Sequence, residues 1–599
     1  MIDTWVPPVF IYVLGALALP FLRGSARRAW VLLVPLIALA DMLVIYYGGY
    51  SGRFWSFDLA GFTLTFARID ALSMIFGFVF VIMSFIGNLY ALHVKEWGQH
   101  TAAFLYAGSA IGTVFCGDLI TLFIFWEVMA WSSVFLIWAG RRRESTHAGL
   151  RYLLVHNLGG AILLMGIVMH VGGGNPTDFG YLVAGGLTPA TTLILIGFII
   201  NAAVPPLHAW LTDAYPDASI TGAVFLSAFT TKTAVYVLLR GFPGTEILIY
   251  LGATMAIYGV IFAVLENDIR RLLSYHIVSQ VGYMVCGVGM ATVIGFESGV
   301  IELTEAGTMT FNGSAAHAFA HILYKGLLFM GAGAVIYMTG KSKLTELGGL
   351  YKTMPKTLTL YMIGGFAISS VPLFSGFVSK SMIIDGAGIG SMTLIWVMLV
   401  LASSGTFLHT GLKLPYFTFF GKDSGIRVDE NKLPKNMIYA MAIAAFLCIG
   451  IGVYPYALYD LLPKAVDFVP YMANHVITEI QFLLFTALAF FMLLKLGAGT
   501  PTITLDTDWF YRKAGNRFLY FFNNQFSRFN KMLENVSMLS MMKLLRISWN
   551  PAVWLTTLFD RQMAGKYPDT PLRLSVINSS VVMSLIFIVL GILLAGGLI

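Results

Sequence analysis

Charged residues and cysteines are scarce in this sequence, and each scarcity excludes a class of protein. Only 11% of the 599 residues are Asp, Glu, Lys or Arg, whereas soluble domains contain about 25%. A soluble enzyme and a nucleic-acid-binding protein are therefore excluded. Cys116, Cys286 and Cys448 are far apart in apolar stretches and offer neither a disulfide framework nor the spacing of a metal site. No phosphate loop, nucleophile triad or cofactor motif is present, so we expect no cofactor, no metal and no catalytic chemistry.

Hydrophobic residues, in contrast, make up 58% of the chain, and the mean hydropathy is +0.79. A transmembrane helix needs about 20 consecutive apolar residues. Apolar windows of that length predict an all-α polytopic membrane protein with about sixteen transmembrane helices. The predicted spans are centred near residues 14, 39, 80, 109, 128, 161, 199, 230, 255, 281, 326, 370, 402, 446, 488 and 586.

Basic residues indicate how the chain is oriented. Lysine and arginine exceed the acidic residues, giving a net charge of +7, and cytoplasmic loops of membrane proteins carry an excess of these residues. If the chain begins outside, nearly all the basic clusters face the cytoplasm. We therefore expect a multi-pass protein of the cell inner membrane with both termini on the periplasmic side. The clusters that decide this orientation are 23–28, 141–143, 270–271, 341–356, 422–435 and 512–573.

Several ionisable side chains lie inside the predicted spans. A charge at the bilayer centre costs roughly 3 kcal/mol, so such residues are retained where they face a polar interior, typically a proton or ion path. Two simpler explanations exist: Lys413 is near the end of its span and could extend to the interface, and the histidines could join helices by hydrogen bonds. The candidate path residues are Glu127, Lys232, His317, His321, Lys325 and Lys380, with His208 and Lys413 as further candidates.

Two of the spans also contain helix-breaking residues near their middles. Pro205 and Pro206 interrupt the seventh span, and Pro372 with Gly376 interrupts the twelfth. An interrupted backbone is tolerated inside a membrane where it lines a cavity. Because the two breaks are five helices apart, they predict two inverted five-helix repeats with the ion path at their interface.

The region after the fifteenth predicted span differs from the rest. Between about Trp509 and Arg561 aromatic and basic residues are mixed, which predicts an amphipathic lateral helix on the cytoplasmic side, interrupted near Pro551. It could be a plain lipid-facing helix or a brace that holds other helices or a neighbouring subunit. The predicted organisation is N-terminal helices at 1–100, the first repeat at 101–242, the second at 243–420, additional spans at 421–500, the lateral segment at 501–572 and a final span at 573–599.

Five stretches of the sequence resemble the antiporter-like membrane subunits of respiratory complex I, membrane-bound hydrogenases and Mrp-type multisubunit sodium/proton antiporters. They lie between about residues 70 and 415, and their amino-acid sequences are most similar to the D-type subunit of the Mrp antiporters. The lateral segment with one further span instead resembles the distal complex I subunit. The matching stretches are FWEVMAWSS, PLHAWLTDAYPDAS with FLSAFTTKTAVYVLLR, ENDIRRLLSYHIVSQVGYM, HAFAHILYKGLLFMGAG and VPLFSGFVSKSM.

The resemblance implies that the intramembrane residues named above are stations of one transverse proton path, running from Glu127 to Lys380. In the family a lysine seven residues before the histidine of PLHAW pairs with the glutamate, but here that position is Asn201. Asparagine does not titrate. Glu127 is then protonated, pairs with another cation such as Lys232 or a neighbouring subunit's group, or holds a sodium ion; alternatively, the path is altered or silenced.

Three functions remain open from the sequence. The first is a proton-translocating subunit of an Mrp-type cation(Na+)/proton antiporter. The second is the equivalent proton-pumping subunit of a redox-driven complex, either a complex I-like NADH-quinone oxidoreductase or a membrane-bound hydrogenase. The third is a structural scaffold with a silenced path. Moving one charge against 100 mV requires about 2.3 kcal/mol, and this chain contains no energy source. The expected partners are therefore other membrane subunits, H+, Na+ as a candidate second ion, and membrane lipid.

Overall fold

The structure is a computed structural model in which helices alternate with short loops. It describes residues 5–297, 299–494, 504, 506–549, 551, 554, 558 and 581–589. One compact unit ends at Asp508, and a second begins at Trp509. The helices of the first unit are α1 (Pro8–Ala18), α2 (Gly24–Tyr47), α3 (Ala71–Tyr90), α4 (Trp97–Phe115), α5 (Leu119–Trp138), α6 (Arg143–Gly172), α7 (Pro189–Asn201), α8 (Ala209–Asp217), α9 (Ile220–Ala228), α10 (Thr230–Gly241), α11 (Ile247–Leu265), α12 (Ile269–Met290), α13 (Glu305–Thr339), α14 (Pro355–Ile368), α15 (Ser375–Ile389), α16 (Thr393–Thr406), α17 (Lys435–Val453), α18 (Tyr456–Tyr459) and α19 (Ala473–Met492).

The helices confirm a multi-pass helical membrane protein. Within the described residues, ten helical segments are long and apolar enough to cross a membrane. Helices surround the first fifteen predicted centres, although the twelfth centre falls on the break between α14 and α15. For the sixteenth predicted span, residues 581–589 are helical and the others lie outside the described part of the chain. The count of sixteen therefore stays a prediction.

Two short antiparallel hairpins join helices outside the predicted spans. β1 (Gly52–Leu59) pairs with β2 (Phe62–Ile69), with Gly52 opposite Ile69. β3 (Val293–Glu297) pairs with β4 (Val300–Leu303). Aromatic and β-branched residues favour strands, but these hairpins were not predicted from the sequence.

Both predicted helix breaks are present. Residues 202–208, which contain the two adjacent prolines, separate α7 from α8, and residues 369–374, which contain Pro372, separate α14 from α15. Proline has no backbone N–H and clashes with the preceding turn, so a helix cannot continue through it without distortion. Gly376 lies in the first turn of α15, where a Cβ would overlap the carbonyl of Ala367.

Matching backbone features recur five spans apart. α5 and α12 each begin after an aspartate, Asp118 and Asp268, whose carboxylate accepts hydrogen bonds from backbone N–H groups of the first turn. The second residue beyond α7 is Ala203 and the second beyond α14 is Ser370, and their φ angles are 59° and 58°. These pairs support the predicted inverted repeats, which stay a prediction.

The centre of the first unit is formed by α13, the longest helix, together with the eighth span, α9 and α10. The eighth span and α13 are almost completely buried. The helices that pack against α13 include α3, α9, α12, α14, α15 and α17. α16 continues through Phe407–Lys413 and Tyr416–Phe420 in wider π-helical turns. Lys232 of α10 and Lys325 of α13 are therefore surrounded by protein, as the sequence predicts for path residues.

The second unit contains a helical stretch from residue 510 to residue 549, in which α20 (Gly515–Tyr520) and α21 (Ser527–Trp549) are joined by wider turns. None of its described side chains is buried within the unit. The predicted helix is therefore present, but its place along the membrane surface stays a prediction. Around the predicted interruption, only Pro551 and two other residues before 581 are described.

Candidate functional site: a buried row of ionisable side chains

Lys232 lies at the start of α10, beside a break that carries neither proline nor glycine. The eighth span is divided at Phe229, whose φ and ψ are −98° and −69°. The last carbonyls of a helix have no partner within that helix, and Lys232 Nζ donates to one of them, Ser227 O, at 2.7 Å. Thr231 Oγ1 lies 3.1 Å from the same nitrogen. The buried ammonium is therefore held by neutral oxygens.

Lys325 of α13 begins a continuous series of side-chain hydrogen bonds. Its Nζ lies 3.1 Å from His276 Nδ1, and His276 Nε2 lies 3.3 Å from Thr406 Oγ1. Gln280 Nε2 donates to the same hydroxyl at 3.2 Å. Lys325, His276, Gln280 and Thr406 are all fully buried, so these bonds are shielded from bulk water.

The series continues through His317 to the broken twelfth span. Gln280 Oε1 lies 3.1 Å from His317 Nε2, and His317 Nδ1 lies 3.2 Å from Ser379 Oγ. Ser379 immediately precedes Lys380, which is 1% exposed. We call the side chains Lys325, His276, Thr406, Gln280, His317 and Ser379 the relay. The relay runs from Lys325 through neutral hydrogen-bonding groups to His317, which is close enough to Lys380 to interact with it electrostatically.

Four relay members were not singled out from the sequence: His276, Gln280, Thr406 and Ser379. His276 and Gln280 are four residues apart on α12, which places them on one helix face, and this spacing of polar residues in a span could have indicated them. Threonine is common in membrane helices, so Thr406 carries no comparable signal.

His321 and Lys232 lie beside the relay rather than in it. His321 contacts the rings of His317 and Tyr324, and neither of its ring nitrogens has a hydrogen-bond partner among the described residues. Lys232 is close enough to His321 and Lys325 to interact with them electrostatically. The predicted stations of the eighth, eleventh and twelfth helices are therefore neighbours.

Glu127 lies apart from these lysines, on α5, where it is half-buried. Its carboxylate packs on Gly160 of α6, and a Cβ at that glycine would overlap Oε1. Within the described part of the chain, Oε1 has no hydrogen-bond partner and no charged side chain interacts with Glu127. The sequence left open that the Glu127 carboxylate pairs with Lys232. The structure does not show this pair.

Asn201 is the last residue of α7 and is 1% exposed. Neither polar atom of its side chain has a partner in the described residues. Both ring nitrogens of His156 also lack a partner in the described residues. The His156 ring lies tilted against Tyr152, with centroids 4.0 Å apart, and edge-to-face against Trp210, with centroids 4.5 Å apart. His156 is one turn from Gly160 on α6, so it faces the region occupied by Glu127. His156 was not identified from the sequence.

The two further candidates, His208 and Lys413, have different partners. His208 Nε2 lies 2.7 Å from Asp506 Oδ2, and Tyr275 also donates to that oxygen at 2.7 Å. Lys413 Nζ donates to the backbone carbonyls of Val264 and Glu266 at the end of α11, as basic residues near helix C-termini do. Lys413 therefore caps the C-terminal end of α11.

Comparison with known proteins places this arrangement in a family. A family model described as NADH:quinone oxidoreductase/Mrp antiporter, TM, matches residues 116–408. The D-type subunit of the Na(+)/H(+) antiporter of Alkalihalophilus pseudofirmus is 31% identical over 380 residues, which are 60% of this chain and 73% of that protein. The chain belongs to the NADH:quinone oxidoreductase/Mrp antiporter family of membrane subunits. The resemblance drawn from the sequence motifs is therefore confirmed.

Some of the proteins that this chain is similar to are components of redox enzymes. Hydrogenase-4 component B of Escherichia coli is 28% identical over 429 residues, which are 66% of this chain and 63% of that protein. Among solved structures, a chain of the membrane-bound sulfane sulfur reductase, an archaeal respiratory membrane complex, has a TM-score of 0.68 at 21% identity. The match covers 92% of this chain and 99% of that one. This family member therefore has the fold of a subunit of a larger membrane complex.

Proposed function

We propose that this antiporter-family subunit conducts protons along a mid-membrane row that runs through the relay to Lys380. The observation that supports the proposal is the unbroken series of hydrogen bonds from Lys325 to Ser379, whose heavy-atom distances lie between 3.1 and 3.3 Å. Imidazole, hydroxyl and amide groups both donate and accept hydrogen bonds. The imidazoles can therefore pass a proton on, while the hydroxyl and amide groups hold them in line.

The charges of the two central lysines are not cancelled by ion pairs. Lys232 and Lys325 are bound by neutral atoms, so a proton on either lysine is not held by a buried carboxylate. Breaking a buried ion pair costs about 3–5 kcal/mol, and transfer between these two lysines avoids this barrier. A scaffold subunit would not need three buried lysines, because each costs several kcal/mol to insert.

We propose further that the subunit works in an Mrp-type cation(Na+)/proton antiporter, where a sodium gradient supplies the energy. The similarity to a D-type antiporter subunit at 31% identity supports this assignment. The alternative is a redox-driven complex, supported by the similarity to a hydrogenase component at 28% identity. Genes for small antiporter subunits beside this one would favour the first alternative, and genes for iron-sulfur or nickel-iron subunits would favour the second.

The test is proton flux in vesicles that hold the whole complex. Lys325→Met keeps the length of the side chain but cannot carry a proton, so we expect flux to fall at least tenfold. Lys343→Met, in an exposed loop, is the matched control and should retain flux with equal amounts of assembled complex. Unchanged flux in Lys325→Met would contradict proton conduction and favour the scaffold function.

The ion that drives or accompanies the protons is tested with the same vesicles. In an Mrp-type antiporter, an imposed sodium gradient should drive proton movement in the wild-type complex and not in the Lys325→Met complex. Proton movement that requires an electron donor and is indifferent to sodium would instead assign the subunit to a redox-driven complex.

A further inference from the structure

A cleft with a volume of about 80 Å³, room for several water molecules, opens between α15, α16 and α19. Four ionisable side chains line it: Lys380 and Asp385 from α15, and His475 and Glu479 from α19. Hydroxyl groups line it as well, among them those of Ser404 and Thr478. A cleft with this lining offers water several hydrogen-bonding partners within a membrane-spanning unit.

Lys380 occupies the closed end of this cleft. It is 1% exposed, and its Nζ has no hydrogen-bond partner in the described part of the chain. The nearest ring is that of Tyr283 on α12, with its centroid 5.7 Å from Nζ. Glu479 is close enough to interact with the lysine electrostatically. A buried ammonium without a hydrogen bond is costly, so the group requires a water or an exchanging partner on its cleft side.

The face that α19 turns to the cleft is polar in the first two turns of this membrane-spanning helix, where His475, Thr478 and Glu479 lie. The lining residues of this helix recur at intervals of three and four, as one helical face requires. Outside that face, apolar residues such as Leu484 are exposed. A carboxylate on a transmembrane helix is retained where it has a function. Glu479 lies outside residues 116–408, which the family model matches, and neither Glu479 nor Asp385 was singled out from the sequence.

The four ionisable groups lie at two positions along the axes of α15 and α19. Lys380 interacts with Glu479 near the break in the twelfth span, and Asp385 interacts with His475 further along. Asp385 is five residues beyond Lys380 on α15, about 7.5 Å along the helix axis. His475 is in the first turn of α19, one turn before Glu479. The cleft therefore leads from mid-span toward the face where α15 ends and α19 begins.

We propose that this cleft is the port through which protons pass between Lys380 and the aqueous phase at that face. In each transfer the Lys380 ammonium gives a proton, by way of a bridging water, to the Glu479 carboxylate, leaving a neutral amine and a carboxylic acid, and the reverse step restores both charges. Asp385 and His475 carry the proton onward through water. α16 contributes no ionisable group to the described lining. The proposal rests on the proposed proton conduction and adds its outlet.

A metal site is a poorer explanation of the same residues. In the part of the chain that the structure describes, no three His, Cys, Asp or Glu side chains converge as metal ligands do. A lysine at the closed end of the cleft would also repel a cation. Proton exchange requires only pairs of groups within reach of each other or of a shared water.

The first test is proton flux in vesicles with the whole complex, comparing Glu479→Gln, Glu479→Asp and Lys380→Met. We expect at least a tenfold loss in Glu479→Gln and Lys380→Met, and retention of most flux in Glu479→Asp, which still exchanges a proton. Asp41→Asn is the matched control because Asp41 is a carboxylate in another span, bonded to Trp5. Loss in Lys380→Met with full flux in Glu479→Gln would overturn the port and leave the proposed function standing. Full flux in both variants would overturn the proposed function itself.

A second test does not depend on the folding of the charge variants. Cys116, Cys286 and Cys448 are buried, so a cysteine introduced on α19 can be labelled selectively. Thr478→Cys, in the cleft, should react with a membrane-impermeant cationic methanethiosulfonate reagent, and the reaction should reduce flux. Leu484→Cys, on another face of the same helix, should not react, because thiols in an apolar environment form little thiolate. Equal lack of reaction at both positions would overturn a water-filled port.

Discussion

Replacing Thr406 by valine interrupts the relay at a single atom. Thr406 Oγ1 lies 3.3 Å from His276 Nε2 and 3.2 Å from Gln280 Nε2, and it donates to Ala402 O at 2.9 Å. Valine has nearly the same shape and no hydroxyl, so packing is preserved while two buried nitrogens lose their partner. Each unsatisfied buried group costs about 1–3 kcal/mol. With two such groups, we expect the free energy of unfolding to fall by at least about 2 kcal/mol.

The free-energy cost of the two unpaired nitrogens should also raise the barrier to proton movement. Each 1.4 kcal/mol added to a barrier slows a step about tenfold, so the loss of the bridging hydroxyl should reduce proton flux by about ten- to a hundredfold. The measurement is the initial rate of proton uptake by vesicles that hold the whole complex, together with thermal unfolding of the purified complex. Flux and stability must be measured on the same preparation.

Thr410→Val is the control for the loss of a buried hydroxyl. Thr410 Oγ1 lies 2.7 Å from His409 Nδ1, outside the relay, so this variant should lose stability comparably and keep its flux. If Thr406→Val conducts within twofold of wild type while Lys325→Met does not, protons bypass Thr406 and the relay reasoning is refuted.

Three further predictions concern the first repeat and the Asp506 contact. Gly160→Ala places a Cβ against the Glu127 carboxylate and should cost about 1–3 kcal/mol of unfolding free energy; Gly172→Ala on the same helix meets open space and should not, so equal effects would refute the contact. Asn201→Lys should change proton flux only while the carboxylate is present, so the double variant with Glu127→Gln should match Glu127→Gln alone; additive effects would show that the two residues act separately. Burial alone would raise the pKa of Asp506, but hydrogen bonds from His208, Tyr258 and Tyr275 hold it well below its ordinary value. This stabilisation is present above about pH 4 and is lost as the pH falls through the lowered folded-state pKa. Asp506→Asn should therefore unfold about 3 kcal/mol more easily at pH 7 and lose this deficit in strong acid, and a deficit independent of pH would contradict the ionised pair.

Sequence patterns predicted the features that are costly in a membrane and missed those that are cheap. Lys232, Lys325 and Lys380 were identified because a charge in a span requires a reason, and the prolines of the seventh and twelfth spans predicted their breaks. The break at Phe229 has no such residue. Its backbone dihedrals depend on how the eighth span packs, and residue types alone do not reveal them. Thr406 was missed for a related reason, because its role depends on two partners from α12.

The first repeat shows what a resemblance alone leaves undecided. Asn201 replaces the family's lysine, and only the folded chain brings His156 into the same region, through the packing of α6 on α7 and the contact of Trp210 with the Ile200 carbonyl at 2.9 Å. His156 and Asn201 are far apart in sequence, so their common position depends on tertiary contacts. Glu479 was missed because it lies in a span outside the motifs that carry the resemblance.

In the proposed proton path, the distribution of charge explains how a proton is driven along the row. The carboxylates lie toward the ends of the proposed path, Glu127 in the first predicted repeat and Glu479 at the cleft, whereas Lys232 and Lys325 lie in the middle without acidic partners. Two like charges that are close together in a medium of low polarity repel each other by several kcal/mol. A proton that arrives at one central lysine therefore raises the free energy of a proton on the other. Occupation of one station expels the proton from its neighbour, and the acidic residues at the two ends take up or release it.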